Sequence, residues 1–158
     1  MSSLKIDFVK DVVDATGNKN LLPHNIEKYT QILKDKGATV ILILTDLDED
    51  ACITLTKKRI NPSINHIVII SIKQIEAWFL ADEGAMRKFL KDDAYMIQNP
   101  ETFVNPFDEI RTLGLNSIGR KRGVGTKVQL AKQMVDHANF SILHASKLQQ
   151  CKLLYQED

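Results

Sequence analysis

Three aspartates at alternate positions, Asp46, Asp48 and Asp50, follow directly on an apolar run of the chain. The run, residues 40–44, is rich in Ile and Val, which is typical of a strand buried on both faces. Because removing a carboxylate from water is very unfavourable, the acids mark the point where the strand leaves the core. In a parallel α/β sheet, ligands bind at that edge.

Carboxylates crowded at one strand end repel each other, and a divalent cation relieves the repulsion. Mg²⁺ takes oxygen ligands, often one or two carboxylates together with waters and substrate phosphates. We therefore expect Mg²⁺, or Mn²⁺ in its place, to be held by Asp46, Asp48 and Asp50. The alternative is a solvated turn in which Asp48 or Asp50 caps the following helix.

A second group of candidate residues lies on a helix that follows the next apolar run, residues 66–72. Its first turn is expected at the same sheet edge, where Glu76 completes the metal shell or acts as a base, or only stabilises the helix N-terminus. Asp82 falls on the apolar stripe of this helix, so we expect it to have a structural, hydrogen-bonded role rather than to line a pocket. Trp78 is expected in the core.

A third candidate is a basic, glycine-rich loop before a helix capped by Thr126. Backbone N–H groups at such a helix start bind phosphate, and basic side chains add affinity for a nucleic-acid backbone. The loop lacks the P-loop spacing, and the alternative is a solvated loop without a ligand. The residues expected to contact phosphate are Arg120, Lys121, Arg122 and Lys127.

Composition sets limits on the class of protein. The chain has 158 residues, of which 44% are hydrophobic and 26% charged, as expected for one globular domain. Its net charge of +1 predicts no nucleic-acid partner by itself, but residues 110–135 contain no acidic residue and six basic ones. No membrane-spanning run or signal peptide is evident, and Cys52 and Cys151 lack a paired motif. We expect a cytoplasmic protein with reduced thiols and no membrane contact.

Hydrophobic periodicity predicts strands that alternate with helices, followed by helices only. The expected fold is α/β, with a mostly parallel sheet in residues 1–91 and a helical extension in residues 92–158 of a single domain. The predicted strands are residues 4–9, 39–45 and 66–72. The predicted helices are residues 23–36, 74–90, 107–113, 126–137 and 140–154, together with a helix that follows the aspartates and runs through residues 53 and 55 to about residue 59.

Three other families with acidic motifs fit less well. An EF-hand loop needs Gly at its sixth position and Glu at its twelfth, where this chain has Ala51 and Lys57. Haloacid dehalogenase-type phosphatases share the strand and paired aspartates, but have Thr or Val where Asp50 stands and a later Lys and acidic pair that we do not find. A response-regulator receiver needs an earlier acidic pair and a later Thr and Lys, and we find no residues of this chain that match them.

The sequence VILILTDLDED at residues 40–50 resembles the DxD strand of the Toprim domain, the metal-binding module of topoisomerases, bacterial primases and several nucleases. IEAWFLAD at residues 75–82 resembles a helix of a small, poorly characterised bacterial Toprim-like family. The two matches lie within residues 39–90, about a third of the chain. The resemblance implies a Rossmann-like fold and a Mg²⁺ site, and it carries the metal role onto Asp46 and Asp48.

The chain lacks two glutamates that this pattern has. Toprim catalytic domains end their first strand with Glu, and residues 4–9 contain none. Asp7 or Asp11 is a shorter substitute, and Glu76 is an alternative source of the group. The small family often has a second Glu where this chain has Gln74. These departures bear on catalysis more than on metal binding.

Three functions follow as hypotheses. The first is a metal-dependent nuclease with Asp46 and Glu76 as catalytic residues. The second is a non-catalytic nucleic-acid-binding or partner subunit that lacks the first-strand Glu. The third is a small-molecule phosphatase that shares the strand-end aspartates.

Overall fold

The structure is a computed structural model that describes residues 7–117 and 123–137. Half of the first predicted strand, residues 4–6 of 4–9, lies outside the described residues, and residues 7–9 form no strand. The predicted last helix, residues 140–154, also lies outside them. So do three of the four basic residues expected to bind phosphate, namely Arg120, Lys121 and Arg122.

The described residues form a mixed α/β structure, which confirms the α/β class at this coarse level. Most of the predicted elements within them are present, with ends that shift by a few residues. The strands are β1 (Ile41–Asp46) and β2 (His66–Ser71), and the helices are α1 (Pro23–Lys34), α2 (Ile53–Ile60), α3 (Glu76–Ala81), α4 (Glu83–Leu90), α5 (Pro106–Asn116) and α6 (Lys127–Val135), with short 3-10 turns at Asn18–Asn20 and Pro100–Thr102.

The two strands pair in parallel. The Ile41 N–H donates to the Asn65 carbonyl at 3.0 Å, and the Leu47 N–H donates to the Ser71 carbonyl at 2.9 Å. Both strands therefore run in the same direction, and their carboxyl ends meet at one edge of the sheet. This arrangement places the end of the aspartate-bearing strand beside the start of the segment that leads to Glu76.

The prediction that β1 is buried on both faces was wrong for the described residues. Ile41, Ile43 and Thr45 are buried, whereas Leu42 and Leu44 are 52% and 45% exposed. The physical reason is that α1 and α2 pack on one face only. That face forms the first apolar core, made of Leu21, Ile26, Ile41, Ile43 and Ile60.

The chain divides into two compact units. The first comprises residues 1–45 and 50–70, and the second comprises residues 46–49 and 71–158. The second unit holds the larger apolar core, which gathers side chains from α3, α4, α5 and α6, including Leu80, Met86, Phe89, Ile110 and Leu130. Helices α3 and α4 therefore pack with the later helices, and the predicted boundary at residue 91 stays a prediction. Within the described residues, no helix combines the length and apolar character that a membrane span requires.

The helix predicted for residues 74–90 is two helices that meet at Asp82. Asp82 leaves the helical conformation at φ −81° and ψ 82°, and its carboxylate accepts from the Ala85 N–H at 2.9 Å. The side chain is therefore the N-cap of α4, which confirms the expected hydrogen-bonded structural role. A carboxylate on an apolar stripe is tolerated here because it satisfies the start of the next helix.

We predict that Asp82→Ala lowers the free energy of unfolding by about 1–2 kcal/mol, because the cap is lost at a site that is only 1% exposed. Asp82→Asn keeps the acceptor oxygen and should lose clearly less. Urea denaturation followed by circular dichroism measures both variants. Equal stability of the Ala and Asn variants would show that the cap contributes nothing.

Candidate functional site

Asp46 is the last residue of β1 and lies in the second unit. Its Oδ1 accepts two hydrogen bonds, from the Ser71 hydroxyl at 2.7 Å and from the Ile75 N–H at 2.8 Å. The side chain is only partly exposed, and hydrogen bonds to a charged acceptor are strong. One oxygen is therefore anchored by two donors, which fixes the orientation of the carboxylate.

Backbone pairing continues past both strand ends. The Asp48 N–H donates to the Lys73 carbonyl at 3.1 Å, and both residues adopt left-handed backbone conformations, with φ of 48° and 64°. Aspartate visits this region readily, but for Lys73 it costs roughly 1–2 kcal/mol. Backbone strain of this kind is common at functional sites. The two turns that follow β1 and β2 are thus held together by a hydrogen bond between two residues in left-handed conformations, of which Lys73 is the strained one.

Glu76 is the first residue of α3, and its side chain is only 5% exposed. Its Oε1 lies 3.4 Å from the Lys127 ammonium. Its Oε2 is buried and has no hydrogen-bond partner among the described residues. A buried charged oxygen without a partner is unfavourable by about 1–3 kcal/mol or more. The fold therefore carries an unsatisfied acceptor directly after the residue that holds Asp46.

Lys127 links this acid to the basic part of the chain. It is the first residue of α6, and its Nζ also lies 5.6 Å from the ring centre of Phe107, whose other cationic neighbour is Arg111 at 6.0 Å. The side chain is 49% exposed, so the ammonium remains accessible to a ligand. The structure thus brings together Glu76 and Lys127, two residues that the sequence assigned to separate motifs.

The start of α6 confirms the predicted cap. Thr126 accepts from the Gln129 N–H at 3.3 Å, and the Gln129 side chain accepts from the Thr126 N–H at 2.8 Å, which forms a capping box. Gly125 has φ +75°, and a Cβ at this position would collide with the Gln129 side chain. The glycine is therefore required for the cap that positions Lys127.

Asp50 lies in the first unit and has other partners. Its carboxylate accepts from the Thr56 hydroxyl at 2.8 Å and from Arg59 Nη2 at 2.8 Å. The Thr56 hydrogen bond, followed by Arg59, lowers the pKa of this carboxyl. The alternative that Asp48 or Asp50 caps the next helix was wrong for both residues, because α2 begins at Ile53 with Cys52 in the N-cap position. Asp50 instead contacts α2 by accepting hydrogen bonds from the side chains of Thr56 and Arg59.

Within residues 7–117 and 123–137, no group of three or more His, Cys, Asp or Glu side chains is placed to hold a metal ion. The predicted site on Asp46, Asp48 and Asp50 therefore stays a prediction. Asp46 and Asp48 belong to the second unit and Asp50 to the first. Asp11, one proposed substitute for the first-strand Glu, forms an exposed ion pair with Lys36 at 2.7 Å.

Sequence reasoning missed the groups that hold Asp46. Ser71 is a polar residue at the end of an apolar run, and this was a usable signal for a strand-end contact. The Ile75 N–H carries no sequence signal because every non-proline residue has one. Trp78, which was expected in the core, is partly buried, and its Nε1 has no hydrogen-bond partner within the described ranges.

Comparison of the chain with protein-family models, with curated proteins and with solved structures finds no match.

We predict that Asp50→Asn lowers the melting temperature at pH 7 but leaves Mn²⁺ affinity unchanged, because the carboxylate already serves Thr56 and Arg59. Since the fold lowers the pKa of Asp50, its stabilisation is present above the ordinary value of about 3.9. It is lost as the pH falls through the lowered value, so wild type and variant should converge in strong acid.

Thermal melts from pH 2 to 7 and a Mn²⁺ titration measure both effects, with the exposed Asp93→Asn as the control. A large loss of Mn²⁺ affinity in Asp50→Asn, with stability unchanged, would instead make Asp50 a metal ligand.

Proposed function

We propose that this protein is a Toprim-like, divalent-cation-dependent enzyme that acts on the phosphodiester bonds of nucleic acid. The observation that carries the proposal is the anchored Asp46 carboxylate at the carboxyl end of β1. Its second donor, the Ile75 N–H, belongs to the residue immediately before Glu76. Parallel strand ends are the usual place for ligands in α/β proteins.

The residues of the second unit fit a hard divalent cation. Mg²⁺ typically takes one or two carboxylates and completes its shell with waters and substrate phosphates, so three protein acids are not needed. Asp46 together with either Asp48 or Glu76 would supply such a pair of carboxylates within this unit. The buried Oε2 of Glu76, which no described donor satisfies, is an atom that a cation would stabilise.

A bound Mg²⁺ supplies Lewis acidity, which polarises a phosphate and makes water more acidic. The protein's own groups do the rest. Asp46 and Asp48 would hold the ion, and the two hydrogen bonds to Asp46 keep its carboxylate from rotating. Glu76 would either complete the shell of the ion through Oε2 or accept the proton that the attacking water releases. Lys127 contacts the phosphate and neutralises part of its charge.

Nucleic acid is favoured over a small phosphate ester by the spread of the basic residues. Lys127 and Arg111 flank the Phe107 ring in the second unit. The sequence adds Arg120, Lys121 and Arg122 between them and no acidic residue from 110 to 135. Several cations in one acid-free stretch suit a repeating phosphate backbone, because each phosphate that they neutralise adds affinity.

A second candidate is a nucleic-acid-binding partner subunit without turnover. The contact between Lys127 and Glu76 favours it, because an ammonium beside the candidate base reduces the tendency of that base to take a proton. The absence of a Glu in residues 4–9 also favours it.

We predict that the wild type binds Mn²⁺ and that it binds the ion more tightly when a DNA or RNA oligonucleotide is present, as measured by calorimetry. We also predict that it cleaves nucleic acid. Asp46→Asn/Asp48→Asn should lose at least about tenfold in Mn²⁺ affinity, together with cleavage, because both charged ligands are gone. The matched control is Asp35→Asn/Asp93→Asn, which removes two exposed charges elsewhere.

The outcomes separate the candidates. Metal-dependent cleavage that fails only in the site variant supports the enzyme. Salt-sensitive nucleic-acid binding without cleavage supports the partner subunit. Equal Mn²⁺ affinity of the site variant and the control contradicts a metal role for these aspartates.

A further inference from the structure

Two buried oxygen acceptors without partners lie on either side of Ile75. They are Gln74 Oε1 and Glu76 Oε2, and neither has a hydrogen-bond partner in the described part of the chain. The Ile75 N–H between them donates to Asp46 Oδ1 at 2.8 Å. The segment that holds the strand-end carboxylate therefore carries an unsatisfied oxygen on each side of the holding amide.

Such a pair needs a physical explanation. Roughly nine in ten buried polar groups in proteins have a hydrogen-bond partner, and each one without a partner is unfavourable by about 1–3 kcal/mol. In the orientation of the structure both atoms are acceptors, so neither satisfies the other. A cation would satisfy both, and a donor, including the Gln74 amide nitrogen after rotation of the amide, would satisfy one of them.

The chemistry of these oxygens points to a cation. A carboxylate, an amide oxygen and a second carboxylate are hard ligands, and side-chain amides serve beside carboxylates in divalent-cation sites. The Lys127 ammonium lies 3.4 Å from Oε1 of Glu76, whereas Oε2 has no hydrogen-bond partner in the described part of the chain. A neutral amide also adds an oxygen without adding repulsion between carboxylates.

We propose that Gln74 is a ligand of the divalent cation through Oε1, and that the cation-binding set of the second unit includes Asp46, Gln74 and Glu76. This inference rests on the proposed function and refines it by naming a ligand that acidic motifs do not reveal. With an amide as one of the ligands, the site holds a cation without a group of three acidic side chains.

The test compares two substitutions at one position. Gln74→Met removes the oxygen and keeps the approximate length of the side chain, whereas Gln74→Glu replaces the neutral ligand with a charged one. Gln98→Met, at an exposed glutamine, is the matched control. Mn²⁺ affinity is measured by electron paramagnetic resonance with an oligonucleotide present, and the melting temperature is measured without metal.

The expected result has two parts. Gln74→Met loses about tenfold or more in Mn²⁺ affinity, while Gln74→Glu gains affinity. Without metal, Gln74→Met melts at or above the wild-type temperature, because the variant no longer buries an unsatisfied acceptor. A residue with a purely structural role would lose stability instead.

Two outcomes overturn the inference in different ways. If both Gln74 variants bind Mn²⁺ like the wild type while Asp46→Asn/Asp48→Asn does not, Gln74 is no ligand and the proposed function stands. If the wild type binds no Mn²⁺ even with an oligonucleotide, the inference fails together with the metal-dependent function.

Discussion

The hydrogen bonds that converge on Oδ1 of Asp46 tie the end of β1 to the segment that follows β2. Each hydrogen bond to a charged group contributes about 1.5–3 kcal/mol, and the two donors come from Ser71 and Ile75. The position of Glu76 follows from this junction, because it is the next residue after Ile75. Parallel pairing of β1 and β2 makes the junction possible, since it brings both carboxyl ends to one edge.

Several features around this junction lower the stability of the fold when each is considered alone. Asp48 and Lys73 adopt left-handed backbone conformations, and Gln74 and Glu76 bury oxygens without partners in the described ranges. The apolar core of the second unit offsets these terms, with fully buried side chains on α3, α4, α5 and α6. Local unfavourable terms that a well-packed core supports are expected at functional sites. This contrast distinguishes residues 71–76 from the ordinary left-handed residues Asn61 and Lys91, which follow the last residues of helices.

Sequence reasoning succeeded where one short stretch decides the outcome. The ends of β1 and β2, the Thr126 cap and the structural role of Asp82 follow from local patterns of polarity and spacing. It failed where distant residues decide. Arg59 determines what Asp50 does, and the packing of α1 and α2 determines which face of β1 is buried. The contact between Glu76 and Lys127 depends on packing within the second unit, which no single motif encodes.

The fold and the function therefore differ in what supports them. The mixed α/β class and the anchored Asp46 are features of the structure. The Toprim-type arrangement, the cation and the nucleic-acid substrate are proposals that start from residues 40–50 and 75–82. Asp46 and Glu76 link the structural features to the proposals. The sequence analysis named both residues as candidates, and the structure places them on adjoining segments of one unit.

The most direct test is an anomalous difference map from crystals grown with Mn²⁺ and a non-hydrolysable oligonucleotide. The proposed function predicts a peak about 2.0–2.3 Å from an oxygen of Asp46 and from one of Asp48 or Glu76, with a backbone phosphate near Lys127. Mn²⁺ bound elsewhere, with these carboxylates bare and the oligonucleotide ordered, would contradict the cation site and leave the protein as a nucleic-acid binder.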